Sequence, residues 1–264
     1  MSFENRFARR LQEAPTPLGT WLMSASATCA EALGWSGLDF LVVDMEHVPI
    51  ELPDMVDIHR ALAGTPAGTI TRLPWNDAVT VKRVLDAGAQ TLMFPMVQTP
   101  EQAAAAVRAT RYPPAGIRGV AAVHRASHYG TLADYLVRSG PELFVIVQVE
   151  TVEAYARMPE IAAVDGVDAV FIGPGDLAAS MGHLGDVLHP EVQAAVRQAP
   201  QAVHRAGRKA GVVAPTAELA RSLAEVGYDF VAIGSDLAAM NATIKSHMGV
   251  FGRQAAAPAK SAGY

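Results

Sequence analysis

The sequence is poor in the features that mark several classes of protein. Of its 264 residues one is a cysteine, Cys29. A single thiol excludes an intramolecular disulfide framework and any zinc site built on several thiolates. Cys29 itself reads as a small buried hydrophobe. Charge of one sign is scarce as well. The 21 Lys plus Arg stand against 26 Asp plus Glu, a formal net charge of −5, and like charges do not gather in long runs. That argues against a nucleic-acid or membrane-surface partner. Uncharged apolar stretches long enough to span a bilayer are missing. The opening MSFENRFARRLQEA has no apolar core and no small-residue cleavage site, so it does not read as a secretory signal. Glu4 and Glu13 interrupt its basic face, against a mitochondrial transit peptide. A soluble, cytoplasmic protein is the expectation. No Gly-x-Gly-x-x-Gly turn follows the first apolar run, so the mark of a dinucleotide-binding sheet is absent too.

What is present is rhythm. Half of the residues are hydrophobic, and short β-rich runs alternate with longer helical patterns. Candidate strands are 18–23, 40–44, 68–71, 91–95, 143–149, 169–172, 211–214 and 230–233. Runs such as FLVVD and LFVIVQV are almost continuously apolar, as expected of parallel strands covered on both faces. Helical patterns fall at 30–35, 54–63, 79–86, 101–110, 152–163, 190–206 and 218–226. Eight strands, each followed by helix, predict an α/β protein: a single-domain (β/α)₈ TIM barrel over residues 1–252. Phe3, Phe7 and Leu11 recur at i, i+4 and i+8, a short amphipathic helix closing the barrel's bottom. The segment 112–129 (YPPAGIRGVAAVHRASHY) is a long loop, of the kind that carries function. The last dozen residues, 253–264, have the composition of a disordered tail.

In a barrel enzyme the chemistry sits at the C-terminal ends of the strands. Those ends carry Asp44-Met45-Glu46-His47, Arg72, Gln148-Val149-Glu150 and Gly173-Pro174-Gly175-Asp176. Concentrating charge there is costly unless it is paired or bound to metal. Each residue has a plainer reading. Asp44, Glu46 and His47 could cap a helix or pair with cations, Glu150 could sit in a first helical turn, and Asp176 could be an N-cap. Together, carboxylates on adjacent strands five and six could share one hard divalent cation. Arg72 is either a salt-bridge partner of Glu46 or a guanidinium aimed at a substrate oxyanion. Asp86 falls at a helix C-terminus, where the dipole disfavours a carboxylate, so it calls for a specific partner. Trp21 either walls the pocket or packs in the core. The histidines other than His47 show no metal-ligand spacing and read mostly as surface residues.

These residues resemble the class II pyruvate aldolases of the 4-hydroxy-2-oxoheptanedioate and 2-dehydro-3-deoxyglucarate aldolase type. The resemblance runs from Gly19-Thr20-Trp21 to about Phe251. It is carried by GTW, DFLVVDMEH, TRLP, RVLDAGAQTLMFPMVQTPEQA, RYPPAGIRG, VQVETVEA and FIGPGDLAASMG, in that order. It implies a phosphoenolpyruvate/pyruvate-type barrel assembled as a dimer of trimers, a homohexamer with exchanged C-terminal helices. It implies Glu150 and Asp176 as ligands of a divalent metal ion (Mg²⁺, Mn²⁺ or Co²⁺), with Gln148 and the backbone around Gly175 holding pyruvate. Arg72 would lie beside the keto oxygen and His47 would be the catalytic base. Asp44 and Asp86 would orient His47, the latter across a subunit boundary. Gly175 stands where many relatives carry Ala, and the HRASHYG part of the 112–129 loop is less standard.

The implied reaction is reversible cleavage of 4-hydroxy-2-oxoacids to pyruvate and an aldehyde through a stabilised enolate. No lysine sits at an expected strand end, which favours the metal route over a Schiff base. Imidazole, with an ordinary pKa near ~6.5, serves proton transfer in both directions. Two alternatives stand beside this reading. One is a citryl- or malyl-thioester lyase on the same barrel, which would need a basic groove for the coenzyme. The other is a non-catalytic oxoacid-binding barrel.

Overall fold

The computed structural model describes residues 3–13 and 15–253. The expected tail therefore lies, apart from Arg253, outside the described residues. Chain order runs α1 (Arg6–Glu13), β1 (Leu18–Leu22), α2 (Ala27–Gly34), β2 (Phe40–Asp44), α3 (Leu52–Leu62), β3 (Gly68–Arg72), α4 (Ala78–Asp86), β4 (Thr91–Phe94) and α5 (Pro100–Thr110). It continues with α6 (Tyr135–Arg138), β5 (Phe144–Val149), α7 (Val152–Ala156), α8 (Met158–Ala162), β6 (Ala169–Ile172), α9 (Pro174–Ser180), α10 (Pro190–Arg205), β7 (Lys209–Ala214), α11 (Ala217–Glu225), β8 (Phe230–Ser235) and α12 (Asp236–Val250). All eight strands pair in parallel, and β8 returns to β1 to close the barrel. The single-domain (β/α)₈ expectation holds. No described helix is long and apolar enough to cross a membrane.

The strands are buried on both faces because each feeds two cores. One face of β2 presents Phe40 and Val42 to the barrel interior, with Ile70, Met93, Ile146, Phe171 and Phe230 from other strands. The other face presents Leu41 and Val43 to the layer between strands and helices. Helices start where a side chain can accept an orphan N–H. Asp77 caps α4, Thr99 caps α5, Thr151 caps α7, Thr216 caps α11 and Ser235 caps α12.

Phe7 of α1 is the stopper expected at the bottom. Its ring makes edge-to-face contacts with Phe40 (5.3 Å), Phe144 (5.5 Å) and Phe230 (5.2 Å). Gly68 lets α1 sit this close, since a Cβ there would stand 2.8 Å from the Phe7 backbone nitrogen.

Three features depart from the sequence reading. The helix expected over 152–163 is two helices, because Pro159 has no N–H with which to continue α7. Helices α6, α9 and α12 have no counterpart among the expected helical patterns. Cys29 is exposed on the first turn of α2, not buried. Pro200 lies inside α10, where it leaves the Val196 carbonyl without its helical donor; the buried Tyr228 hydroxyl donates to that oxygen at 2.7 Å.

Truncating the stopper tests the bottom closure. Phe7→Ala is expected to cost about 3–5 kcal/mol, the range for emptying a buried aromatic site. Chemical denaturation should show it, whereas Leu184→Ala, at an exposed position, should leave the midpoint unchanged.

Candidate active site

The parallel register of β2 and β3 places Asp44 beside Arg72. Both are buried, and they form a two-pronged pair: Nε donates to Oδ1 at 2.9 Å and Nη2 to Oδ2 at 2.6 Å. Arg72 Nη1 also meets Glu46 Oε2 at 2.8 Å. The salt bridge read from the sequence therefore exists, and Asp44 is the closer partner. Two of the five guanidinium N–H donors remain for another acceptor. The Trp21 ring lies 4.2 Å from the guanidinium carbon. With 4 % of its surface exposed, Trp21 is a shelf under Arg72 more than a wall of an open pocket. Its indole Nε1 is buried without a partner.

Asp44 also shapes the chain that carries the histidine. Its Oδ1 accepts the backbone N–H of Glu46 (3.0 Å) and of His47 (3.3 Å). The His47 side chain is exposed, and its Nε2 lies 3.8 Å from Glu46 Oε2. So Asp44 orients the loop, and the acidic side chain beside the imidazole is Glu46. From the sequence Glu46 reads only as a strand-end carboxylate and a salt-bridge partner of Arg72, not as the neighbour of the imidazole.

Across the rim, Glu150 is held from two sides. Met96 donates its backbone N–H to Oε1 at 2.7 Å, and Gln148 donates Nε2 to Oε2 at 3.1 Å. Met96 adopts a left-handed φ of 52°, a conformation that costs a non-glycine residue energy and recurs at functional sites. Gly173, at the end of β6, leaves the space Glu150 occupies; a Cβ there would meet its Oε2. Asp176 sits one residue beyond Gly175 in the first turn of α9.

The electrostatics bind these groups into one site. Burial pushes the Glu150 carboxyl up to about 7; the Met96 N–H opposes this, and the charges of Asp176 and Glu46 add to it. Glu46 is raised too, chiefly by burial, opposed by Arg72 and His47 and reinforced by Asp44 and Asp176. The carboxylates of Asp44, Glu46 and Glu150 crowd Arg72, and Gln148 Oε1 is buried with no partner. Oxygen donors repelling one another beside an orphaned carbonyl fit a hard divalent cation.

Asp86 behaves differently. It ends α4 at the N-terminal end of the barrel, so within the chain it does not meet His47. The partner its position calls for is Arg118, whose Nη2 donates to Oδ1 at 2.7 Å, with His124 Nε2 at 3.7 Å. Arg118 is a buried arginine in the 112–129 loop, over the Tyr112 ring at 4.5 Å. Three further histidines depart from the surface reading. His59 is buried against Thr71. His183 and His189 stack at 3.5 Å and meet Glu191, the one group of three metal-type side chains whose ligand atoms converge among the described residues. His189 Nδ1 accepts the Glu191 N–H and His183 Nε2 lies 3.0 Å from Glu191 Oε2, an arrangement that caps α10.

A cavity of about 500 Å³ lies at the other end of the barrel. The chemistry is therefore assigned to the strand C-terminal ends by convergence of charge and not by cavity size.

An eight-stranded parallel barrel with a carboxylate-rich rim has the architecture of a (β/α)₈ enzyme. Its family follows from comparison: residues 18–242 match the HpcH/HpaI aldolase/citrate lyase model, and the chain belongs to that family. A 2-dehydro-3,6-dideoxy-6-sulfogluconate aldolase of Pseudomonas putida is 50% identical over 230 residues, covering 87% of this chain and 90% of its own. A 4-hydroxy-2-oxo-heptane-1,7-dioate aldolase of Klebsiella pneumoniae is 46% identical over 233 residues, 88% of each chain. The crystal structure of an HpcH/HpaI aldolase/citrate lyase family protein from Burkholderia cenocepacia superposes with a TM-score of 0.90 at 40% identity, over 94% of this chain and 100% of the other.

Removing one partner of the buried pair should be severe. Asp44→Asn leaves Arg72 buried with half its compensation, and a loss of about 3–5 kcal/mol is expected. Glu46→Gln removes a partly exposed contact and should cost less. Equal midpoints for the two variants in denaturant would refute this ranking.

Proposed function

We propose that the chain is a class II pyruvate aldolase, cleaving 4-hydroxy-2-oxoacids reversibly into pyruvate and an aldehyde. It is a carbon–carbon lyase, as its family membership entails. The observation that carries the reading is the convergence of Glu46, Glu150 and Asp176 around Arg72 at one rim, with a buried Glu150 whose ionisation is held near neutrality.

Glu150 and Asp176 would hold the divalent ion (Mg²⁺, Mn²⁺ or Co²⁺), with Gln148 fixing Glu150 from behind. Bound there, the ion supplies Lewis-acid polarisation of the 2-keto oxygen. Gln148 and the backbone around Gly175 position the pyruvate half. Arg72, already charged and immobilised by Asp44, offers its two remaining donors to negative charge developing on that oxygen. His47 removes the 4-hydroxyl proton as the C3–C4 bond breaks and the aldehyde forms. The same imidazolium returns its proton to C3 to give pyruvate. Glu46, beside His47, holds the imidazolium during the transfer. Asp86 can take part only from a neighbouring subunit, carried by an α4 C-terminus brought to this rim.

Assembly into a homo-oligomer, by the resemblance a dimer of trimers, has a physical motive. Helix α12 has no buried residue in the isolated chain, and Met240 and Ile244 stand more than half exposed. A helix of 15 residues with that surface needs a covering neighbour. Light scattering should give about six times the chain mass of 27.8 kDa. A monomer would remove both α12 exchange and any role for Asp86 in catalysis.

The thioester-lyase alternative would need cationic groups beside the carboxylates. The basic cluster that the fold does assemble is at the opposite end of the barrel.

Pyruvate release from 4-hydroxy-2-oxoacids of graded chain length, with chelator and then with each metal restored, tests the function. Metal-dependent release is expected, and its absence with every metal and length would sink the aldolase reading. His47→Ala should fold normally and lose at least about 10²-fold in kcat, the usual contribution of a general base.

The Glu150 carboxyl adds a pH signature. It is raised from 4.5 to about 7, so below 7 a proton competes with the metal, and apparent metal affinity should fall by up to about tenfold per pH unit. The sign for the metal-free protein is the reverse. There the native state holds the proton more tightly than the unfolded state, so this contribution to stability is present at low pH and is lost as pH rises through 7. Calorimetric titration with metal at pH 6, 7 and 8 separates these cases, since a pH-independent affinity would remove Glu150 from the ligand set.

A further inference from the structure

At the N-terminal end of the barrel, remote from the carboxylate rim, lies a cavity of about 500 Å³. It is walled by the start of the chain, the C-terminal turn of α3, the turn before β4 and the segment 125–129. The rim site already accounts for the chemistry of the family, and nothing there uses this cavity.

Arginine outnumbers acid in its lining: Arg6, Arg60 and Arg125 stand against Glu4, which pairs with Arg9. Arg125 is half-buried, and its Nη1 donates to the Ala87 carbonyl at 2.7 Å. Among the described residues no carboxylate lies within ion-pair distance of it. Arg60 stands close enough to disfavour its charge, after burial has done so. Arg60 has Asp57 on one side at 2.7 Å and the Tyr129 hydroxyl as a second neighbour. Arg6, also in the lining, is spent on the carbonyls of Leu62, Ala63 and Thr65. The like charges of Arg60 and Arg125 are thus brought together with donors to spare. Asp57 offsets Arg60 on its outer side, whereas Arg125 has no such partner, so an anion lying between the two would be favoured.

Two other observations point into the same space. His128 and Tyr129, both lining the cavity, have left-handed φ values of 48° and 57°, which non-glycine residues adopt chiefly where surrounding structure imposes it. Phe3 and Tyr135 form an aromatic corner, ring centroids 5.4 Å apart. The cavity therefore joins a cationic end to an apolar end, and its volume is that of a small-molecule site.

We propose that this cavity is a second binding site, for a small organic dianion whose phosphate or paired carboxylates bridge Arg60 and Arg125. Guanidinium forks suit both head groups. The carbon body would lie against Phe3 and Tyr135.

The test is calorimetric titration of the metal-loaded, full-length protein with glycerol 3-phosphate and, separately, with succinate. Saturable binding of at least one probe, one per chain, is expected, and the preferred probe identifies the head group. Arg60→Gln, at an exposed position that does not endanger folding, should weaken binding at least about tenfold, the scale of one lost charge-assisted hydrogen bond. Arg125→Gln should do the same or more. Asp176→Ala, which alters only the rim, should leave the affinity unchanged. Absence of binding by both probes, binding that survives Arg60→Gln, or binding lost in Asp176→Ala would each overturn the proposal, the last by assigning the anion to the rim.

Discussion

Because β8 pairs with β1, every strand of this protein ends on one closed rim, and residues far apart in sequence are forced into the same few ångströms. Asp44 meets Arg72 because parallel β2 and β3 run in register at that residue pair. Gln148 and Glu150 come up beside Gly173 by the same rule on β5 and β6. Below the rim the barrel is filled by Phe40, Phe171 and Phe230 and stoppered by Phe7, so its interior is no route for ligands. Polar side chains leaving the strand ends have nowhere to go but up. The site is a consequence of closure.

Closure also explains why the Asp44–Arg72 pair is tolerated. A buried ion pair often contributes nothing net, since desolvation offsets its attraction. Here it fixes an arginine in one orientation on the Trp21 ring while leaving two donors unspent. It also pins the chain at Glu46 and His47 through their N–H groups. What the pair provides is a guanidinium held in place before any ligand arrives, which is how electrostatic stabilisation avoids reorganisation during reaction.

Much of this could be read from the chain itself. The strands came within one or two residues of their observed bounds, because apolar runs ending in a charge have few other interpretations in an α/β protein. The helical patterns expected from 101 and 218 began within one residue of α5 and α11. The rim residues were legible as a set for the same reason: charge at the end of an apolar strand stands out. What was not legible is direction and distance. Nothing in DMEH says that Asp44 turns to Arg72 while Glu46 turns to the imidazole, since residues two apart on an irregular segment have no fixed relation. Met96 could not be found at all, because it contributes a backbone N–H and any side chain would serve. Helix α12 escaped because its apolar residues do not fall on one stripe, and in the isolated chain none of them is buried.

The two ends of the barrel differ in a way that composition conceals. With 26 acidic and 21 basic side chains and no run of like charges, the sequence looks electrically bland. The fold sorts these charges. Carboxylates of Glu46, Glu150 and Asp176 gather where the strands end, and Arg6, Arg60 and Arg125 gather where they begin. At the first end burial, reinforced by the charges of Asp176 and Glu46, raises the Glu150 carboxyl, so that its proton exchanges near neutrality. At the second end repulsion between Arg60 and Arg125 cannot be relieved in that way, because guanidinium does not give up its proton in proteins. Relief must come from an anion or from solvent, and half-burial of Arg125 limits the solvent. The same barrel that gathers carboxylates at one rim therefore gathers arginines at its other end.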